Sequence, residues 1–222
     1  MIILLTNDDG IDSERLKYTR DVLKEYGEVY IVAPRVQQSA KSMALTIGGF
    51  KYNKINEFEY SIDGTPVDCI NFAIQGLNMK PDLIVSGTNI GYNIGIDTRY
   101  SGTVGAALQG QYFGFKTLAL SAERGSDIVF HNELEDTIKF VFNENILSKE
   151  HTVNVNLARD KYGASKGILV GRTYFRQHQY KPTLENGVFK PHRIFNCRTE
   201  FPEDTDVYAY YNGYTSVCKI KL

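Results

Sequence analysis

Ile2, Ile3, Leu4, Leu5 and Thr6 run without a break into Asn7, Asp8, Asp9 and Gly10. An apolar run with no polar alternation reads as a strand buried on both faces, as in the middle of a parallel sheet. Two neighbouring carboxylates at the end of such a strand repel each other and lose hydration, so they need an offsetting partner. This opening constrains the chain twice. The strand calls for helices on both sides of a sheet, and the acidic pair calls for a cation at the strand's carboxyl end. The plainer alternative for Asp8-Asp9-Gly10 is an Asx-capped turn; the buried strand before it and the polar loops that follow favour the cation.

The rest of the chain supplies the helices. Leu16, Thr19, Val22, Leu23 and Tyr26 recur at three-to-four spacing behind a cap at Asp12 or Ser13, and Gly27 ends the pattern. Residues 29–33 read as a second buried strand, 50–62 as a hairpin or meander, and Gly64-Thr65-Pro66 as a turn opening a helix through Leu77. Further strands are expected at 82–86, 117–121 and 152–156, and helices at 101–114 and 132–147. Such alternation implies parallel βαβ crossovers and a Rossmann-like, doubly wound α/β fold in three layers. Beyond residue 158 the rhythm stops, and β-prone pieces appear at 168–172, 207–211 and 214–222. The expectation is one domain over residues 1–222: an α/β core over about 1–158 and a β-rich arm over about 159–222.

With 25 basic against 26 acidic side chains and no basic block, the chain lacks a stripe for phosphodiester backbones. A nucleic-acid polymer is therefore not expected as the main partner. No apolar run reaches the roughly 18–20 residues that span a bilayer, and the amino terminus meets Asn7 too soon for a secretory signal. Cys69, Cys197 and Cys218 are odd in number and unpatterned, indicating neither a disulfide framework nor a zinc knuckle. The expected location is the cytoplasm.

In an open parallel sheet, ligands bind beyond the carboxyl ends of the strands. There the chain places Asn7 to Gly10, then Pro34 to Ser39, then Gly87-Thr88-Asn89-Ile90-Gly91-Tyr92-Asn93, and finally Tyr100-Ser101-Gly102-Thr103 at a helix start. Ser39, Asn89 and Asn93 offer neutral oxygen near Asp8 and Asp9, and these loops contain no His or Cys. Oxygen-only ligation points to a hard ion, Mg²⁺ or Mn²⁺, over zinc. Ser101-Gly102-Thr103 can cradle a phosphate on free N–H groups at the positive helix end; its plainer reading is an ordinary Ser cap. No Gly-Lys-Ser/Thr and no strand leading into Gly-x-Gly-x-x-Gly is present, so a Walker loop and a dinucleotide cofactor have no support. His131, His151, His178 and His192 fall outside these loops and read as packing or surface residues, and Ser39 lacks a His partner for nucleophilic catalysis. The acidic stretch 200–206 reads as a solvated turn.

These motifs assemble into a known pattern. The chain resembles the SurE family of stationary-phase survival proteins, metal-dependent nucleoside monophosphate phosphatases. The resemblance rests on Ile3 through Gly10, on Val32-Ala33-Pro34 with Ser39, on Gly64-Thr65-Pro66-Val67-Asp68-Cys69 and on Pro81 through Asn93. Tyr100-Ser101-Gly102-Thr103-Val104-Gly105-Ala106-Ala107, Asn154-Val155-Asn156, Thr205-Asp206 and Gly213-Tyr214-Thr215-Ser216 continue it in family order. It implies one divalent ion per subunit, Mg²⁺ or Mn²⁺, held by Asp8, Asp9, Ser39 and Asn89, and phosphate held by Asn93 and Ser101-Gly102-Thr103. Asn7 is taken as a further substrate contact, and Asp8 and Asp9 as the catalytic carboxylates. The implied reaction is hydrolysis of nucleoside 5′-monophosphates, and also of 3′-monophosphates and short polyphosphate, by metal-activated water. A homodimer is expected, with a tetramer as the alternative assembly. Two rivals share an acidic first loop and form an aspartyl phosphate. A haloacid-dehalogenase-like phosphatase wants Asp-x-Asp-x-Thr, whereas Asp8 and Asp9 are adjacent. A phospho-receiver domain wants an acceptor Asp after its third strand, where the chain has Ser86-Gly87.

Overall fold

The computed structural model describes residues 1–125, 127–175, 179–194 and 200–222. His178 and Cys197 lie outside the described residues. Nine strands form one sheet: β1 (Ile2–Thr6), β2 (Glu28–Pro34), β3 (Tyr52–Lys54), β4 (Glu59–Ile62), β5 (Leu83–Ile90), β6 (Lys116–Ala122), β7 (Thr152–Asn156), β8 (Ile168–Gly171) and β11 (Thr215–Ile220). Their order is β3-β4-β2-β1-β5-β6-β7-β11-β8. The six strands from β4 to β7 are parallel to their neighbours, whereas β3 on β4 and β11 on β7 are antiparallel.

Side-chain alternation builds the two flanking layers. Ile3 and Leu5 of β1, Ile31 of β2 and Val85 of β5 face a core completed by α1 (Glu14–Leu23) and α4 (Ile128–Asn143). Leu4, Val32 and Ile84 face the opposite core, with α2 (Pro66–Asn71) and α3 (Gly102–Tyr112). Every residue of β1 after Ile2 is buried, as the unbroken apolar run requires.

Several expected bounds need correction: α1 ends at Leu23 before its pattern reaches Tyr26, the helix opened at Pro66 is α-helical only to Asn71 and π-helical over Phe72–Gly76, β5 continues through Ile90, and α4 ends at Asn143. α4 begins four residues earlier than the apolar pattern suggests, because the Asp160 carboxylate accepts the Val129 N–H from a distant loop and so satisfies the helix start. The segment 207–211, expected as strand, is the helix α5 (Asp206–Asn212). Thr205 caps it by accepting the Tyr208 N–H, and Gly213 closes it at φ +85°, so capping outweighs the β propensity of Val207 and its tyrosines. Of the residues beyond 158, β8 and β11 join the main sheet. β9 (Gln179–Glu185) and β10 (Val188–Ile194) form a separate antiparallel hairpin. Among the described residues no helix is long and apolar enough to cross a membrane.

Candidate functional site

The chain runs outward from β1 to β2 on one side and places β5 on the other, so the strand order reverses between β1 and β5. The crevice at that reversal is where an open α/β sheet binds ligands. Asp8 and Asp9 leave β1 there, and Asn89 sits near the end of β5.

Asn7 folds the acidic loop. Its Nδ2 donates to the Gly10 carbonyl (2.9 Å), and its Oδ1 accepts the Gly10 N–H (3.1 Å). Gly10, at φ +107°, takes a conformation that residues with a Cβ avoid. Asn7 is fully buried, so what it visibly does is hold the turn. The turn leaves Asp8 only 3% exposed, with Oδ1 accepting from the Thr103 hydroxyl at 2.7 Å. Burial lifts the Asp8 carboxyl to about 6, the Thr103 hydroxyl pulls it back in part, and the Asp9 charge pushes it up again. Asp9 Oδ2 accepts the Ile90 N–H at 2.9 Å, which ties the acidic loop to the end of β5.

The first turn of α3 closes the other side. Ser101 caps it through the Val104 N–H (3.1 Å), and the Thr103 hydroxyl is engaged with Asp8. The groups left for an anion are the backbone N–H donors of the first turn. A Cβ on Gly102 would lie 3.1 Å from Asp8 Cβ and 3.2 Å from its Oδ2, so glycine is what admits the helix start this close to the carboxylate. Asn93 is held from four sides. Its N–H donates to Asn156 Oδ1 (2.8 Å) and its Nδ2 to Ser121 Oγ (2.8 Å); its carbonyl accepts from Asn154 Nδ2 (2.9 Å) and Asn156 Nδ2 (3.2 Å).

The loop after β2 reaches the same place. The Gln38 N–H donates to the Asp8 carbonyl (2.7 Å), and Ser39 follows, exposed, one residue on. Farther along, the Ser42 N–H donates to the Tyr100 carbonyl (3.0 Å) and the Thr46 hydroxyl to Asp68 (2.6 Å), which fastens this loop over α2 and α3.

A hard cation suits this donor set. A desolvated carboxyl lies beside a second one, and Asn89 uses its Nδ2 on the Gly91 carbonyl (2.8 Å), which assigns its oxygen as the atom to offer. Among the described residues no group of three or more His, Cys, Asp and Glu could hold a metal, so a zinc-type cluster is absent there. His131 packs edge-on against Tyr18, His151 meets the Ile146 carbonyl and His192 meets Thr183, all away from this crevice.

Two supports went unread in the sequence. Asn154 and Asn156, which in the sequence show only as part of a matching motif, hold Asn93; their signal is a pair of amides two residues apart on a buried strand. Asp206, expected in a solvated turn, is fully buried and accepts the Gly95 (2.8 Å) and Tyr174 (2.9 Å) N–H groups, pinning the stretch that leads into Ser101.

The fold and the crevice define a Rossmann-like α/β protein with a carboxylate pair and a helix N-terminus meeting at the switch point of its sheet. The model of the family described as "Survival protein SurE" matches residues 3–180, and the chain belongs to the SurE family. It is 36% identical over 233 residues to the 5′-nucleotidase SurE of Aquifex aeolicus, covering 99% of this chain and 91% of that protein. It is 34% identical over 226 residues to the 5′/3′-nucleotidase SurE of Wigglesworthia glossinidia brevipalpis, covering 98% and 90%. The crystal structure of the Aquifex aeolicus SurE protein superimposes with a TM-score of 0.83 at 32% identity, over 100% of this chain and 93% of that one.

Proposed function

We propose that the protein is a metal-dependent phosphomonoesterase that hydrolyses nucleoside 5′-monophosphates, and 3′-monophosphates with them, to nucleoside and phosphate. The observation that carries this reading is the 2.7 Å bond from Thr103 on the α3 start to Asp8 on the β1 loop, which puts anion donors and carboxylates in one crevice. Relatives named 5′-nucleotidase and 5′/3′-nucleotidase over nearly the whole chain support it. Asp8, Asp9, Asn89 and Ser39 hold one divalent ion, Mg²⁺ or Mn²⁺. When bound, such an ion neutralises phosphoryl charge and lowers the pKa of water. The first N–H groups of α3 orient the phosphate, with Asn93 beside them, and Gly102 leaves room for it against Asp8. Asp8 is the carboxylate assigned the proton, by its place between the acidic loop and the start of α3, where the Thr103 hydroxyl meets it. The protein acts in the cytoplasm as a homodimer.

Phosphate release from a panel of 5′- and 3′-mononucleotides and short polyphosphate, with Mg²⁺, Mn²⁺ or excess EDTA, tests this reading. Mononucleotide turnover that EDTA abolishes is expected. Full turnover in chelator, or a trapped aspartyl phosphate, overturns it.

A further inference from the structure

β5 does not run regularly to its end. Its pairing with β6 shifts between Ser86 and Asn89, and within that irregularity Gly87 stands at φ +133°, where a Cβ would meet the Leu120 carbonyl at 2.3 Å. A ladder broken in this way leaves backbone donors and acceptors without strand partners, and buried ones must find others. Helix α1 supplies them from two positions one turn apart. Thr19 Oγ1 lies 2.9 Å from Thr88 Oγ1 and accepts the Thr88 N–H at 3.3 Å. Arg15 Nη1 donates to the Asn89 carbonyl at 2.9 Å and to the Ala122 carbonyl at 3.3 Å.

Arg15 is unusual company for a strand end. It is 4% exposed, its Nη2 bridges the Glu123 carbonyl and the Asp127 carboxylate, and its guanidinium carbon lies 5.1 Å from the centre of the Phe130 ring. A buried guanidinium is costly unless its donors are met. Here they converge on the carboxyl ends of β5 and β6. One of those ends carries Asn89, and the next residue, Ile90, gives its N–H to Asp9.

We propose that Arg15, with Thr19, is a positioning device for the site: the guanidinium clamps the bulged end of β5 so that Asn89 and the Ile90 N–H stay in place against the acidic loop. This rests on the reading of Asn89 and Asp9 as metal ligands. Toward the site the hydrogen bonds of Arg15 and Thr19 go to the Asn89 carbonyl and to the Thr88 N–H and hydroxyl, so the action runs through β5 itself. Lysine cannot replace the fork, because its single ammonium cannot reach several carbonyls and a carboxylate at once.

The test uses the full chain and two readouts. The first is the Kd for Mn²⁺ by calorimetry, with Asp8→Asn as the control that abolishes the site. The second is amide hydrogen exchange of the metal-free protein at Ile90 and Gly91. Outer-shell partners of metal ligands are worth about 10–100-fold in affinity. Arg15→Met and Arg15→Lys should each weaken Mn²⁺ binding by about tenfold or more and speed exchange at Ile90 and Gly91, with core strand amides unchanged. Thr19→Val, nearly isosteric, should do the same to a smaller degree and guards against Arg15 variants that fail to fold. Variants that melt earlier yet keep wild-type Mn²⁺ affinity and local exchange would overturn the proposal. Should the wild type bind no Mn²⁺, the metal reading fails by itself, and the exchange at Ile90 and Gly91 still decides the clamp.

Discussion

At the residue scale the site turns on Asp8, a carboxyl that burial holds at about 6 instead of its ordinary 3.8. The folded-state value is raised, so in metal-free protein the stabilisation this group provides is present at acid pH and is lost as the pH rises through about 6. The difference corresponds to on the order of 3 kcal/mol at neutral pH. Asp8→Asn removes that contribution: in metal-free protein the melting temperature of the variant relative to wild type should rise between pH 4.5 and pH 7.5. Thermal melts in EDTA across this window check it, and parallel slopes would mean that Asp8 is not the strained group. The same substitution removes a ligand charge, so kcat/KM with Mn²⁺ should fall by on the order of 10²–10³. Loss of activity together with retained or increased metal-free stability at neutral pH distinguishes a functional carboxylate from a structural one.

At the scale of elements, what the sequence made legible was what repeats. The apolar run of β1 and the first turns of α1 report local physics and stand where their patterns put them; α1 nevertheless stops at Leu23, short of Tyr26, and the helix opened at Pro66 gives way to a π-helical turn over Phe72–Gly76. Asp8, Asp9 and the Ser101 helix start were legible as loops on one edge because a parallel sheet sends them there; Asn89, expected in the loop after the third core strand, reaches the same edge from within β5, whose pairing with β6 resumes past the irregularity at Ser86. What was not legible depends on partners far along the chain. Asp206 reads as surface until the Gly95 and Tyr174 amides close around it, and α5 reads as strand until its caps are weighed. Gly105 belongs to this second kind. Inside α3 it looks like a weak helix residue that alanine would improve by about 1 kcal/mol. A Cβ there, however, would sit 2.2 Å from the Ser42 carbonyl. Gly105→Ala should therefore displace the loop that carries Ser39, raising the Mn²⁺ concentration needed for half-maximal activity while α3 itself stays intact. Unchanged metal dependence would show that the loop's seat on α3 is not needed.

At the scale of the whole molecule, the β9–β10 hairpin is the element that the sheet leaves over. Among the described residues β9 and β10 pair only with each other, and a two-stranded ribbon alone is marginal in water. Leu184 and Phe189, cross-strand partners on one face of it, are 81% and 59% exposed, which is apolar area that a second copy of the chain would cover. A two-fold pair buries the same face on both partners and is the commonest closed solution. Light scattering at micromolar concentration should then give twice the 25.1 kDa of one chain. Leu184→Glu combined with Phe189→Glu places a like charge on both faces of the pair and should shift the protein to monomer. Because the β1–β5 crevice is built within one chain, Mn²⁺ binding should survive in that monomer. A wild type that stays monomeric at these concentrations would remove the hairpin's role in assembly. A monomeric variant that also loses Mn²⁺ would mean instead that the hairpin's partner completes the site.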